Sequence, residues 1–229
     1  MARFTNGALL VRSDVALEGI TAESVQRGAA NVDRLRIRDC WIDSLLLSVS
    51  CPGSISDVDI ADSDISEMVL TSSDQGISGR VDNVKVGTLH IQNGERLEVN
   101  VTASGRFDSH SVDLDNVRRS RITAQVHNAR QHGIYMQGCS DVDVDGLVSG
   151  SGQDEDDTWD NIHISGGQRV RVLARSLGQE FNPPTRYGVN IASGTSHIVQ
   201  SLIDPDDNFA TAAITDSGTG TVDQSTVLT

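Results

Sequence analysis

One five-residue frame recurs four times in the second half of the chain, and it restricts the fold to a stack. The frames are His132-Gly133-Ile134-Tyr135-Met136, Asp160-Asn161-Ile162-His163-Ile164, Tyr187-Gly188-Val189-Asn190-Ile191 and Ala212-Ala213-Ile214-Thr215-Asp216. In each, a small or polar residue precedes an apolar one and an outward residue follows. Three of the four close on a second apolar residue. The apolar centres Ile134, Ile162, Val189 and Ile214 are separated by 28, 27 and 25 residues. A short alternating strand returning at a near-constant period reads as one rung of a solenoid.

The pattern extends upstream. Val15-Ala16-Leu17, Leu35-Arg36-Ile37, Val58-Asp59-Ile60, Val84-Lys85-Val86, Leu97 to Val101, Val142-Asp143-Val144 and Val170-Arg171-Val172 alternate as short strands. A second series runs from Leu45 to Met68, Leu89, Val112 and Ile134, in steps of 23, 21, 23 and 22. Together they predict an all-β, single-domain right-handed parallel β-helix over residues 1–229. About nine coils at ~4.8 Å per rung give a stack ~43 Å long. The coils spanning 128–218 carry the longer loops. A leucine-rich repeat has a similar period, but its L-x-x-L-x-L-x-x-N skeleton is missing, and no unit shows the 10 to 15 residues of helical periodicity that helical repeats need. A short helix is expected only over Ile20 to Ala30.

Composition agrees with a thin aliphatic core. Hydrophobic residues make up 37 % but aromatics only 3 %, and Gly numbers 21 against 4 Pro. The net charge of −14 comes from 32 acidic and 18 basic residues, and Lys85 is the only lysine. This excludes nucleic acid as an expected partner, since phosphate contacts need a basic footprint. An anionic polysaccharide would be repelled unless a cation bridged it. The balance fits either a GC-rich genome or a high-salt habitat. No stretch approaches the ~18 apolar residues of a membrane span, so no membrane insertion is expected. Met1 to Gly7 has no apolar signal-peptide core. Three cysteines (Cys40, Cys51, Cys139), odd in number and without a C-x-x-C pair, read as small buried hydrophobes. Synthesis in a reducing cytoplasm is the expectation.

The run from Arg130 to Gly220 resembles the right-handed β-helix repeat of the pectate-lyase-like superfamily. The residues that carry it are HGIYMQGCSDVDVDGLVSGSG, DNIHISGGQRVRV, YGVNIASGTSHIV and AAITDSGTGTV. Repeats ending in a Gly-Thr-Gly stretch are also similar to those of phage tailspikes and other virion proteins. The resemblance covers about 90 residues and implies fold more than function, because lyases, hydrolases, epimerases and inert modules share it.

Chemistry, if any, belongs to the residues just before the repeated frames. Insertions at Asn128 to His132, Gln153 to Asp160, Gly178 to Arg186 and Asp204 to Phe209 precede equivalent strands and should project from one face. Arg130, His132, Trp159, Phe181, Arg186, Tyr187 and Phe209 are candidate carbohydrate contacts there, since π-faces receive sugar C–H groups and polar side chains meet hydroxyls. Plain packing of loop against core is the competing reading. Asp154, Asp156 and Asp157 offer oxygens that suit Ca²⁺, although the spacing is not that of an EF-hand; a solvated acidic loop is the alternative, and no other cofactor is implied. Glycoside hydrolysis needs two carboxylates ~5 to 9.5 Å apart; Asp157, Asp160 and Glu180 are the candidates. Asp160-Asn161-Ile162 resembles part of the polygalacturonase Asp-Gly-Ile site. The paired aspartates and the following His-Gly are absent in order, and His132-Gly133 lies upstream. A lyase of this superfamily would use a basic residue such as Arg130 or Arg186 beside a bound uronate, whereas the simpler role for either arginine is an ion pair. His163 and His197 are expected as surface residues of strands and turns.

Three functions follow. The first is a phage virion structural protein displayed on tail or capsid, homotrimeric, contacting other virion proteins and host-surface glycans. The second is an extracellular polysaccharide lyase or glycoside hydrolase. The third is a bacterial adhesin or scaffold module. The export signal that the second and third require is not seen, and the scarcity of aromatic platforms disfavours the second.

Overall fold

Aliphatic side chains stacked in register from coil to coil hold this molecule together. A computed structural model describes residues 2–27, 31–49, 53–73, 76–105, 109–151, 158–177, 185–203, 209–224 and 226–227. Within these residues every strand pairing is parallel and there is no helix. The chain forms a right-handed-type parallel β-solenoid of about seven turns. One row runs Leu45, Met68, Leu89, Val112, Ile134, Ile162 and Val189, all buried, and ends at the partly buried Ile214, each residue paired with the next. A second runs Ile37, Ile60, Val81, Val99, Ile122, Val144 and Val172. A third includes Ile65, Val86, Ala103, Val126 and Val148, then passes through the buried Ser176 to Ile203. The rows meet in one aliphatic core that holds no buried Phe, Tyr or Trp among the described residues.

Alternation sets which side chains enter it. Along Gly94–Ala103 the residues at 97, 99, 101 and 103 are buried while those between them face water. At the corners the backbone enters the left-handed region, which Asp and Asn tolerate better than most residues. Asp39, Asp62 and Asn83 (φ 52°, 49° and 52°) occupy one corner on three successive coils.

Register also orders the charges. On one outer face Arg36, Asp59, Arg80, Glu98, Arg121, Asp143 and Arg171 pair in sequence, so sign alternates at every rung. Like charges directly opposite destabilise a sheet, and this order avoids them. The row ends in Ile198 and Val222, which are 40 % and 48 % exposed.

Two expectations need correction. The chain makes about seven turns rather than nine, a minor difference within the expected fold. The segment expected as a helix is instead the strand Ile20–Arg27, paired on both sides with Ala2–Val11 and Trp41–Val49. Ile20, Ala22 and Val25 are buried there, so pairing across two neighbours overrides local propensity. Cys40 and Cys139 are buried free thiols, as expected, and burial pushes the Cys139 thiol up to about 12. Cys51 lies outside the described residues.

Candidate functional site

The repeated frames place two rows of side chains on one face of the long-looped coils. Tyr135, His163 and Asn190 pair in register, and His90 and Asp113 precede them in the same row. Three residues earlier in each frame stand His110, His132, Asp160 and Tyr187. Gly133 lets the rows close. A Cβ there would lie 2.4 Å from Val148 Cγ1 and 2.7 Å from the carbonyl oxygen of Asn161. Asn161 turns inward and latches the loops: its amide donates to Ser176 Oγ at 3.0 Å and to the Leu177 carbonyl, and its oxygen accepts from the Ser151 N–H. Thr185 Oγ1 donates to the Ser151 carbonyl at 2.7 Å.

Asp160 is the centre. It is 0 % exposed, and both carboxylate oxygens are occupied. Arg186 donates from Nε to Oδ1 and from Nη2 to Oδ2, each at 2.9 Å. Oδ2 also accepts from His163 Nδ1 at 2.7 Å and from the Asn190 amide at 2.9 Å. Burial disfavours the charged carboxylate, but these hydrogen bonds outweigh it and hold the group below the ordinary aspartate range. His132 Nδ1 accepts the Asp160 backbone N–H at 2.9 Å. That nitrogen therefore carries no proton, and its 3.6 Å approach to Asp160 Oδ2 is not an ion pair. Burial pushes the His132 imidazole down to about 3, against the opposing pull of Asp160. His110 is lowered too, chiefly by burial. In contrast, a 2.8 Å hydrogen bond to Asp113 raises His90.

The rings pack on one another. Tyr135 stacks on His110, His132 and His163 with centroids 4.5, 5.5 and 5.3 Å away. His132 also meets His163 at 4.5 Å and the edge of Trp159 at 5.0 Å. Trp159 Nε1 and His110 Nδ1 are buried without a hydrogen-bond partner. The Arg186 guanidinium lies 5.0 Å from the Tyr187 ring centre. Most ring faces are thus turned to neighbouring rings, and a ligand arriving from solvent would meet edges.

Chemically, the Asp160 carboxylate is closed. A general acid must hold a proton at working pH, and a nucleophile or base needs a reachable lone pair; the ionised, saturated and buried Asp160 offers neither. His132, Asp160 and His163 are the one described set whose ligand atoms converge, within 4.8 Å. Yet the Arg186 guanidinium already holds both carboxylate oxygens, and His132 Nδ1 is spent on a backbone N–H. A metal would have to displace these donors, so the geometry does not favour one.

Of the sequence candidates, His132, Trp159, Asp160, Arg186 and Tyr187 come together. Arg130 is exposed on the chain leading into the first frame. For Phe209 only the backbone is described, paired with Thr185. Asp154, Asp156, Asp157, Glu180 and Phe181 lie outside the described residues. Sequence reading left His110, Tyr135, His163 and Asn190 out of the site, although a spacing of three links each to a partner position in the repeated frame. His163 is no surface residue, with its side chain 13 % exposed. Nor is His197, which is fully buried and accepts the Val170 N–H at 3.3 Å. No family model, no curated protein and no solved structure matches this chain.

Proposed function

We propose that this chain is a non-catalytic structural solenoid of a virion surface, assembled as a homotrimer with other virion proteins and touching host-surface glycans. One observation carries the non-catalytic part: Asp160, the described member of the candidate acid–base set, is buried and saturated by Arg186, His163 and Asn190. The same bonds commit Arg186, one of the two arginines, with Arg130, that a lyase reading would use as base. Such a cluster works as a staple that fixes the long-looped coils to one another. Display on a virion is supported by the resemblance of the Gly-Thr-Gly-ended repeats to tailspike repeats. A chain whose described residues are nearly all solenoid rungs also suits a display role.

The test joins mass by light scattering with a turnover screen on capsular and plant polysaccharides. A trimer without turnover is the expected result. Turnover that disappears in Asp160→Asn while the fold persists would sink the structural reading. A stable monomer would sink the homotrimer.

A further inference from the structure

A different part of the molecule has the open chemistry that the Asp160 cluster lacks. On three early coils, two short rows flank a furrow of about 380 Å³. One row is the corner series Asp39, Asp62 and Asn83. The other is Trp41, Asp64 and Lys85, which pair rung to rung. Trp41 is 43 % exposed, in a chain with only two tryptophans. A second hollow of about 160 Å³, walled partly by Phe4 and Thr21, opens on its other side. The indole therefore stands as a ridge between two depressions.

The groups around it are uncommitted. Several arginines elsewhere on the surface are paired, as in Arg34–Asp14, Arg38–Asp59 and Arg169–Asp141. Here the side chains of Asp39, Trp41, Asp64 and Lys85 have no hydrogen-bond, ion-pair or ring partner among the described residues. The sole lysine of the chain sits one rung from Asp64 without bonding to it. Only Asn83 and Asp62 join, at 2.7 Å.

We propose that this furrow binds a short uncharged saccharide. The C–H face of a pyranose ring lies against the Trp41 indole, as aromatic faces accept such groups. Vicinal hydroxyls donate to the Asp39 and Asp64 carboxylates, and Lys85 donates to a ring or hydroxyl oxygen. Three carboxylates against one ammonium turn uronates away by like charge. The site is separate from the Asp160 cluster and holds whether or not the chain proves catalytic.

The full chain is tested on an array of neutral, amine-bearing and uronate oligosaccharides, and the best hit is titrated by calorimetry. A neutral saccharide is the expected hit. Affinity should fall at least tenfold in Trp41→Ala, recover in part in Trp41→Phe, and fall several-fold in Asp39→Asn and Lys85→Met, with the fold retained in every variant. The proposal is overturned if no saccharide is retained, if uronates alone bind, or if Trp41→Ala binds like the parent chain. Cleavage of the hit would defeat the structural reading above and leave this site standing.

Discussion

The Asp160 cluster and the Trp41 furrow are made from the same device, polar and aromatic side chains repeated on successive coils, yet they end in opposite states. Around Asp160 the repeat puts a carboxylate, a guanidinium, an amide and three imidazoles within reach of one another, and the acceptor capacity of the carboxylate is consumed by Arg186, His163 and Asn190. Around Trp41 the rows diverge at a corner and leave an indole, an ammonium and two carboxylates facing solvent. On the readings proposed above, the cluster rich in catalytic residue types is the structural one and the sparse surface the receptive one. Residue type alone does not separate them; saturation and exposure do.

Acid should separate the regions most strongly. His132 titrates near 3 in the folded chain and near 6.5 when unfolded. Its folded value is depressed, so the stability linked to it is full above ~6.5 and drains away as pH falls toward 3. The side chain is 6 % exposed, and the loss amounts to about 4 kcal/mol across that window. Asp160, also depressed, adds a further loss as pH drops below its unfolded value of ~3.9. His90 works in the opposite sense. Its raised value contributes stability at low pH that is lost as pH rises through it, but its side chain is 34 % exposed and solvent weakens the effect. Denaturant titrations from pH 7 to 3.5 should therefore show a steep fall. His132→Asn, whose amide oxygen can still accept the Asp160 N–H, should flatten it. An unchanged slope would mean that His132 is not held neutral by burial.

Next in size is Asp160→Asn. The amide returns one oxygen to Arg186 but sets its NH2 against the donors of His163 and Asn190. Breaking a buried ion pair from one side costs about 3 to 5 kcal/mol, and the partial exposure of Arg186, 27 %, puts the expected loss near the lower end. Equilibrium unfolding measures it. A loss below ~1 kcal/mol would place Asp160 among weak surface-type pairs and remove the contrast between the two regions.

Gly133→Ala probes how tightly the rows close. Its Cβ would strike Val148 and the Asn161 carbonyl, and overpacking of this kind costs about 1 to 3 kcal/mol. The ring stack should loosen with it, visible as a change in the near-ultraviolet signal of Trp159 and Tyr135. A variant as stable as the parent would show that the stack has room to give.

Much of this was legible in the sequence. The frames at Ile134, Ile162, Val189 and Ile214 announced one row of the core because identical strands must stack to bury their apolar faces. The frames and the insertions before them also named His132, Asp160, Trp159 and Arg186. What stayed hidden needs register. The alternating charges pass from Arg80 to Glu98 in 18 residues but from Asp143 to Arg171 in 28, so no fixed period reveals them. The partnership of His110, Tyr135 and His163 likewise crosses coils of unequal length. Trp41 and Lys85 were not joined into a site because they lie 44 positions apart and become neighbours only through Asp64.

The smallest expected effect is the most telling for the furrow. Removing the Trp41 side chain should lower unfolding free energy by about 1 kcal/mol, since 43 % of the residue is exposed and only its covered part leaves water on folding. If Trp41 were a structural residue whose exposed edge merely escaped burial, truncation to Ala would instead cost about 3 kcal/mol or more, as for an aromatic taken from a core. The distinction needs no ligand, only paired denaturation curves of the parent chain and Trp41→Ala. A large loss would make the furrow a scar of packing. A small one leaves an exposed indole, kept at the surface of an aromatic-poor chain, with little part in holding the fold together.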